Sequence, residues 1–246
     1  PPHVAEAAGA LVTVPSVELH EQHRVRVRGV PRGVDRGLDG AHRRRVHVSA
    51  GGDRERVAEE GDLPLEQLGP LGCGIQTGAG AVLNRLRPEF GSSIAVFGCG
   101  TVGMSAIMAA KIAGCQQIIA VGGNPKSLAL AKELGATDTV NRKEVDDLVA
   151  AVKAVSLSGD GVNYSIDTTG VGACVRQSLG FLDFDGTCVV VGATGDIEFN
   201  VQNELMGDGK SLIGVIEGDS IPKEFLPKLM AYYRNGQFPF DKLIKF

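Results

Sequence analysis

The sequence predicts an α/β fold in which a doubly wound parallel sheet carries helices on both faces. Short apolar runs typical of buried strands alternate with helical patterns from Leu63 onward, and the connections between them are short. The run "IAVFG" leads directly into three glycines spaced G-x-G-x-x-G and then into a helical pattern. A strand, a glycine turn and a helix in this order indicate parallel strands joined by right-handed crossovers.

Local signals support each element in turn. The expected helices are "LPLEQLGPLGCGIQTGAGAVLNRL" (in two pieces), "TVGMSAIMAAKIAG", "NPKSLALAKELGA", "KEVDDLVAAVKAVS" and "VGACVRQSLGFL"; the expected strands are "IAVFG", "QIIAVG", "TDTVN", "VNYSIDTTG" (with its turn) and "GTCVVVGAT". Gly114 and Gly135 are expected to end two of the helices, because glycine readily takes the left-handed conformation found there. Asn124 is expected as an N-cap with Pro125 in the first turn. The segments "SLIGVIEG", "IPKEFLPKLMAYYRNGQ" and "KLIKF" follow.

Overall composition excludes several classes of function. The formal net charge of −4 offers no basic field for nucleic acid, and no apolar run is long enough for a membrane-spanning helix. The amino-terminal residues have no cationic start followed by an apolar core, so no signal peptide is expected. The five cysteines are odd in number, far apart and without a C-x-x-C pair. Reduced thiols in a cytoplasm are therefore expected rather than a disulfide framework.

Residues 1–62 differ in composition from the rest of the chain. They lack Phe, Tyr, Met, Ile, Asn and Lys, whose codons are rich in A and T, yet they hold 10 of the 15 arginines. Their Val–Arg alternation is interrupted by Gly and Pro, which leaves little bulk to pack. We expect residues 1–61 to be disordered or translated in the wrong frame. An arginine-rich arm for nucleic acid is the alternative, although Arg and Asp plus Glu balance at ten each.

The glycine turn predicts a dinucleotide site. Gly98 would permit a tight turn, Gly100 would let a pyrophosphate approach the backbone, and Gly103 would let helix and strand pack closely. Thr101 and Val102 would present free amides at the positive end of the helix dipole. The alternative is a strand–helix turn that needs glycine for packing alone.

One position departs from the dinucleotide-binding pattern. The acidic residue that holds the adenosine ribose should end the second strand, but Gly122 stands there. Without that acid a 2′-phosphate is not repelled, so both NAD and NADP remain open. Lys126 is the nearby cation that the sequence offers to such a phosphate.

Several stretches resemble a known family. "GPLGCGIQTGAGAVLN", "VFGCGTVGMSAIMAAKIAG" and "AKELGATDTVN" resemble zinc-dependent medium-chain alcohol dehydrogenases. "DTTG", "GTCVVVGA" and "IEGDSIPKEFLPKLMAYYRNGQFPFDKLIKF" are similar to the aryl-alcohol (benzyl alcohol) branch. The resemblance covers about residues 62–246. It implies a Rossmann cofactor domain beside a GroES-like catalytic domain, and oxidation of a benzyl-type primary alcohol to its aldehyde by zinc-assisted hydride transfer to NAD(P). It also implies a homo-oligomer that pairs through an edge strand near "SLIGVIEG".

The resemblance assigns roles to particular residues. Cys73 matches a catalytic zinc ligand, and a thiolate suits zinc, although a small buried hydrophobe is the alternative. Thr77 matches a residue beside the nicotinamide. Val191, Gly192 and Ala193 match a strand end whose backbone meets the nicotinamide carboxamide; a core strand that leads into a turn is the alternative.

Four other candidates receive no catalytic role. Asp167 is expected to end a strand near the cofactor cleft without transferring a proton, and Cys99 to be a small side chain in the glycine turn. His20 and His23 have a spacing that could reach one metal, but their flanking residues do not match the family. A zinc-free medium-chain reductase is disfavoured because Cys73 lies in the matching G-x-x-G-C-G-x-x-T-G setting.

The expected domain organisation follows. Residues 1–61 form the atypical segment, residues 62–92 the end of the catalytic domain with a linking helix, and residues 93–217 the Rossmann domain. Residues 218–246 would begin a truncated return to the catalytic domain. The resemblance gives one hypothesis, an aryl-alcohol dehydrogenase, although the zinc ligands other than Cys73 have no match in the sequence. The other is a catalytically incomplete fragment that only binds a dinucleotide, and we expect this second state for the chain as written.

Overall fold

The computed structural model describes residues 69–244, which form a parallel sheet covered by helices on both faces. The strands are β1 (Ser93–Phe97), β2 (Gln117–Gly122), β3 (Asp138–Asn141), β4 (Val162–Asp167), β5 (Leu182–Val190) and β6 (Ser211–Gly214). The helices are α1 (Gly74–Gly80), α2 (Thr101–Ala113), α3 (Pro125–Leu134), α4 (Leu148–Val155), α5 (Gly172–Gly180), α6 (Val201–Glu204) and α7 (Pro222–Arg234). The predictions for residues 1–61, with His20 and His23, lie outside the described residues.

The strand order is β3-β2-β1-β4-β5-β6, and every neighbouring pair is parallel. The order reverses between β1 and β4, which is the switch point where open α/β sheets bind their ligands. The predicted α/β class with a doubly wound parallel sheet is therefore confirmed.

The sheet separates two apolar cores. Strands β1 and β2 are buried along their whole length, because each contributes alternate side chains to opposite faces. Ile94 and Val96 join the core on the side of α2, whereas Ala95 and Phe97 join the core on the side of α4 and α5.

The helix ends confirm the local capping signals. Gly114 has φ 86° after α2, and Gly135 has φ 131° after α3. The Asn124 side chain accepts a hydrogen bond from the Lys126 amide at 2.9 Å. These backbone states are accessible to glycine at little steric cost, so each cap follows from the residue at that position.

Some boundaries differ from the sequence predictions. Helix α4 begins at Leu148 rather than near Lys143, because Asp147 caps it by accepting a hydrogen bond from the Ala150 amide at 3.0 Å. Strand β5 begins at Leu182, ahead of the predicted "GTCVVVGAT", and its register with β4 shifts after the first pair.

The segment ahead of β1 is helical in pieces, as predicted for its described part. A 3₁₀ turn (Gly69–Gly72) precedes α1, and a π-helical segment (Ala81–Leu86) follows it. Further 3₁₀ turns lie at Met206–Asp208, Glu217–Asp219 and Phe240–Leu243. Among the described helices, none has the length and apolar character needed to cross a membrane. The predicted domain boundaries remain predictions.

Candidate functional site

The turns that follow the strands meet at one edge of the sheet. Phe97 at the end of β1 pairs with both Val121 of β2 and Asp167 of β4. Asp167 in turn pairs with Val190 of β5. Because parallel strands end at the same edge, the residues after these positions form one continuous rim at the switch point.

The glycine turn has the conformation that its spacing predicts. Gly98 has φ 103°, its amide donates to the Val121 carbonyl at 2.9 Å, and a Cβ there would stand 2.3 Å from the Thr168 hydroxyl oxygen. A Cβ on Gly103 would stand 1.8 Å from the Gly98 carbonyl oxygen. A Cβ on Gly100 would meet nothing within 4 Å. Two of the glycines are thus required by packing, whereas Gly100 borders open space.

The first turn of α2 offers unpaired amides beside that open space. Gly100 caps the helix without a side-chain hydrogen bond. The amides of Thr101, Val102 and Gly103 have no partner within the helix, because the first amides of any α-helix lack a carbonyl four residues earlier. Amides at a helix amino terminus attract anions. The turn therefore fits a pyrophosphate, and the binding roles of these residues stay predictions.

The turn after β4 is organised by Asp167. Its buried carboxylate accepts hydrogen bonds from the Thr169 hydroxyl at 2.8 Å, the Thr169 amide at 3.2 Å and the Gly170 amide at 3.3 Å. Burial raises the pKa of this carboxyl above its ordinary value. The next residue, Thr168, donates its hydroxyl to the Phe97 carbonyl at 3.0 Å. Asp167 thus ends β4, as predicted, and holds the turn after this strand in place.

The end of β5 presents backbone to the same rim. The Val191 amide donates to the Asp167 carbonyl at 3.0 Å. A Cβ on Gly192 would stand 2.3 Å from the Gly170 nitrogen, so only glycine fits there. Ala193 is exposed. These positions fit the predicted contact with a carboxamide, which remains a prediction.

Helix α1 brings Cys73 to the glycine turn. A Cβ on Gly78 would stand 2.0 Å from the Val102 carbonyl oxygen, and the Ser105 hydroxyl donates to the Ile75 carbonyl at 2.7 Å. A Cβ on Gly74, next to Cys73, would stand 3.4 Å from the Thr101 methyl carbon. The close packing of α1 on α2 therefore sets Cys73 beside the predicted phosphate site.

Cys73 itself is exposed, so its interpretation as a small buried hydrophobe is wrong. Its carbonyl accepts a hydrogen bond from the Thr77 amide at 3.0 Å, and Thr77 is half-buried on the same helix. Cys73 therefore lies directly before, and Thr77 within, the short helix that borders the rim.

A hydrogen-bond network that the sequence did not reveal supports this helix. The Gln76 side-chain amide donates to the Gly72 carbonyl at 2.8 Å and to the Glu217 carboxylate at 2.9 Å. The Ser220 hydroxyl donates to the Gln76 side-chain oxygen at 3.1 Å. Gln76 and Glu217 are 141 residues apart, so no local pattern predicts their contact.

The described residues do not form a complete zinc site. Within residues 69–244 no three His, Cys, Asp or Glu side chains come together as a metal cluster. A catalytic zinc takes three protein ligands, so Cys73 would need partners from outside this part of the chain.

The surroundings of Gly122 correct one prediction. Lys126 is not the only nearby cation, because a Cβ on Gly123 would stand 3.1 Å from the Arg142 Nε and 3.2 Å from the Lys143 Cε. Arg142 and Lys143 follow β3, and the pairing of β3 with β2 brings them next to the end of β2. A Cβ on Gly122 would stand 3.0 Å from the Cys99 sulfur.

Cys99 is a small, half-buried side chain in the glycine turn, as expected. Its thiol donates to the Val121 carbonyl at 3.6 Å, and burial raises its pKa to about 11. The thiol is therefore protonated at neutral pH and fills space below the rim.

Comparisons with known proteins agree with this geometry. The family model for zinc-binding dehydrogenases matches residues 101–232. A geraniol dehydrogenase from Castellaniella defragrans is 41% identical over 185 residues, which are 74% of this chain and 49% of that protein. The chain spans about half the length of the curated relatives it matches.

Solved structures agree as well. A benzyl alcohol dehydrogenase from Acinetobacter calcoaceticus is 46% identical with a TM-score of 0.71, over 75% of this chain and 50% of that one. An alcohol dehydrogenase zinc-binding domain protein from Burkholderia ambifaria is 52% identical at a TM-score of 0.71, with coverages of 75% and 50%. With the glycine turn at the switch point, these matches show that the chain belongs to the zinc-binding dehydrogenase family.

Proposed function

We propose that this chain binds a nicotinamide dinucleotide along the rim and serves the oxidation of an aryl primary alcohol to its aldehyde. The observation that carries the proposal is the glycine turn, in which Gly100 borders open space beside the unpaired first amides of α2. That arrangement has room and hydrogen-bond donors for a pyrophosphate.

Each part of the rim then has a separate task. The amides of Thr101 and Val102 hold the pyrophosphate, and the backbone of Val191 and Ala193 orients the nicotinamide carboxamide. The bound dinucleotide supplies the hydride acceptor, which is the cofactor's own chemistry. Asp167 keeps the turn after β4 in place through its three hydrogen bonds.

The substrate class is proposed from similarity. The benzyl alcohol dehydrogenase is 46% identical and the geraniol dehydrogenase 41% identical to this chain. Both names describe enzymes that act on primary alcohols with an unsaturated carbon next to the carbinol carbon. Cys73 would be one thiolate ligand of a catalytic zinc whose other ligands come from outside the described residues.

Dinucleotide binding without alcohol oxidation is the second candidate. It is favoured by the setting of Cys73, which lacks two further ligand side chains within the part of the chain that the structure describes. A single thiolate gives zinc neither the affinity nor the fixed geometry of a catalytic site.

One experiment tests the proposal and separates the two candidates. The purified full chain is titrated with NADH and NADPH to millimolar concentration while nicotinamide fluorescence is recorded, with circular dichroism as the control for folding. Saturable binding of either nucleotide is expected, and no binding by a folded chain would refute the proposal. Turnover of benzyl alcohol by a chain that contains stoichiometric zinc supports the first candidate. Dinucleotide binding without zinc and without turnover supports the second.

A further inference from the structure

We propose that the dinucleotide selected by this chain carries a phosphate on the 2′-oxygen of its adenosine ribose, and that Arg142 and Lys143 hold that phosphate. The inference rests on the proposed function, because it concerns the same dinucleotide. It names the cofactor class and two specificity-determining residues.

The first support is the position of both side chains. Strands β2 and β3 are paired so that Gly122 lies opposite Asn141, and the Arg142 amide donates to the Gly122 carbonyl at 2.8 Å. The Arg142 Nε lies 3.1 Å, and the Lys143 Cε 3.2 Å, from the place of a Cβ on Gly123. Both cationic side chains therefore fold back over the end of β2.

The second support is the place of this strand end in a dinucleotide site. The pyrophosphate lies on the glycine turn after β1, and the adenosine ribose reaches the end of the next strand, β2. A carboxylate at that end accepts hydrogen bonds from the ribose hydroxyls and repels a 2′-phosphate. Gly122 and Gly123 provide no such carboxylate.

The third support is that the positive charges of Arg142 and Lys143 are not neutralised by a described neighbour. Within residues 69–244, the side chains of Arg142 and Lys143 are exposed and have no ion pair or hydrogen bond with another residue. The following carboxylate, Glu144, accepts a hydrogen bond from the Asn141 side-chain amide at 2.5 Å. Lys126, exposed in the first turn of α3, adds a third positive charge near the same strand end.

These groups match a phosphate better than a diol. A guanidinium can donate two parallel hydrogen bonds to phosphate oxygens, and an ammonium adds a compact charge. Neither group accepts a hydrogen bond, so neither replaces the carboxylate that commonly accepts one from a free 2′-hydroxyl. The strand end is therefore built to attract a dianion.

The experiment compares nucleotides that differ only in this phosphate. The full chain, its Arg142→Gln and Lys143→Gln variants and the double variant are titrated with NADPH and NADH by calorimetry. The adenosine nucleotides 2′-AMP and 5′-AMP are then tested as competitors. Lys132→Gln, on the exposed part of α3, makes the same change of charge away from the strand end and serves as the matched control.

We expect NADPH to bind at least about tenfold more tightly than NADH, and 2′-AMP to compete better than 5′-AMP. The double variant should lose about tenfold or more in NADPH affinity, because charge-assisted hydrogen bonds are lost, while its NADH affinity and the Lys132→Gln variant stay within about twofold. NADH binding as tight as NADPH binding would overturn the inference and leave the proposed function standing. Failure of a folded chain to bind either nucleotide would overturn both.

Discussion

The carbonyl oxygen of Gly98 occupies the space that a side chain at Gly103 would need, since a Cβ there would lie 1.8 Å from that oxygen. The contact joins the turn after β1 to the first turn of α2. The same glycine also lies next to Val96, whose methyl carbon would be 3.4 Å from that Cβ. Helix and strand can therefore approach closely enough to aim the free amides of α2 at the rim.

Gly103→Ala is expected to destabilise the chain. The added methyl group must displace backbone rather than a flexible side chain, and overpacking of this kind costs about 1–3 kcal/mol. Urea denaturation should show a fall in the free energy of unfolding of that size. An unchanged denaturation midpoint would show that the turn can move aside.

Gly100→Ala is expected to weaken dinucleotide binding with little effect on stability. Its φ is −90° and its Cβ would meet nothing within 4 Å, so the free energy of unfolding should fall by less than about 1 kcal/mol, the small cost of alanine at a helix cap. The methyl group would project into the space proposed for the pyrophosphate. Dinucleotide affinity measured by calorimetry should drop by about tenfold or more. Normal affinity in this variant would contradict the proposed path of the pyrophosphate.

The cysteines are expected to differ in reactivity. Cys73 is exposed, whereas burial raises the pKa of Cys99 to about 11 and that of the fully buried Cys188 to about 12. Only the thiolate reacts, so the thiols of Cys99 and Cys188 should both react slowly at pH 7.5. Timed labelling with iodoacetamide, followed by peptide mass spectrometry, should show Cys73 modified first and Cys188 last. Equal labelling rates in the native chain would be inconsistent with this structure.

The buried carboxyl of Asp167 should give a pH dependence of stability with a definite sign. Its pKa is raised in the folded chain from the ordinary value of 3.8, so the folded state holds the proton more tightly than the unfolded state. Its contribution to the free energy of unfolding is therefore most favourable below pH 3.8 and declines as pH rises through the raised pKa. As pH rises over that range, the free energy of unfolding of the wild type should fall relative to that of Asp167→Asn.

A surface carboxyl provides the control for that measurement. Arg176 donates two hydrogen bonds to Glu204, at 2.7 Å and 2.9 Å, and lowers its pKa. The Glu204 contribution should therefore decline in the opposite direction, as pH falls through the lowered pKa. The difference in free energy of unfolding between wild type and variant should change with pH in opposite directions for Glu204→Gln and Asp167→Asn. The same direction for both variants would refute the predicted signs.

Much of the fold could be predicted because its signals are local. Gly114 ends α2 and Asn124 caps α3 through residues that are neighbours in the chain. The start of α4 differs from the sequence prediction because Asp147 competes with earlier acidic residues of "KEVDD" as a cap, and only the formed helix shows which one is used. A capping preference favours a residue type but does not choose among adjacent candidates.

By itself, the sequence determined the parallel α/β class, the glycine turn, the position of Cys73 before a short helix and the absence of an acid at Gly122. These depend on the conformational preferences of consecutive residues, which act wherever the segment lies. The tertiary structure decided which distant groups meet: Arg142 with the end of β2, and Gln76 with Glu217. Such contacts depend on strand order and helix packing, and these minimise the free energy of the whole core rather than of any one segment.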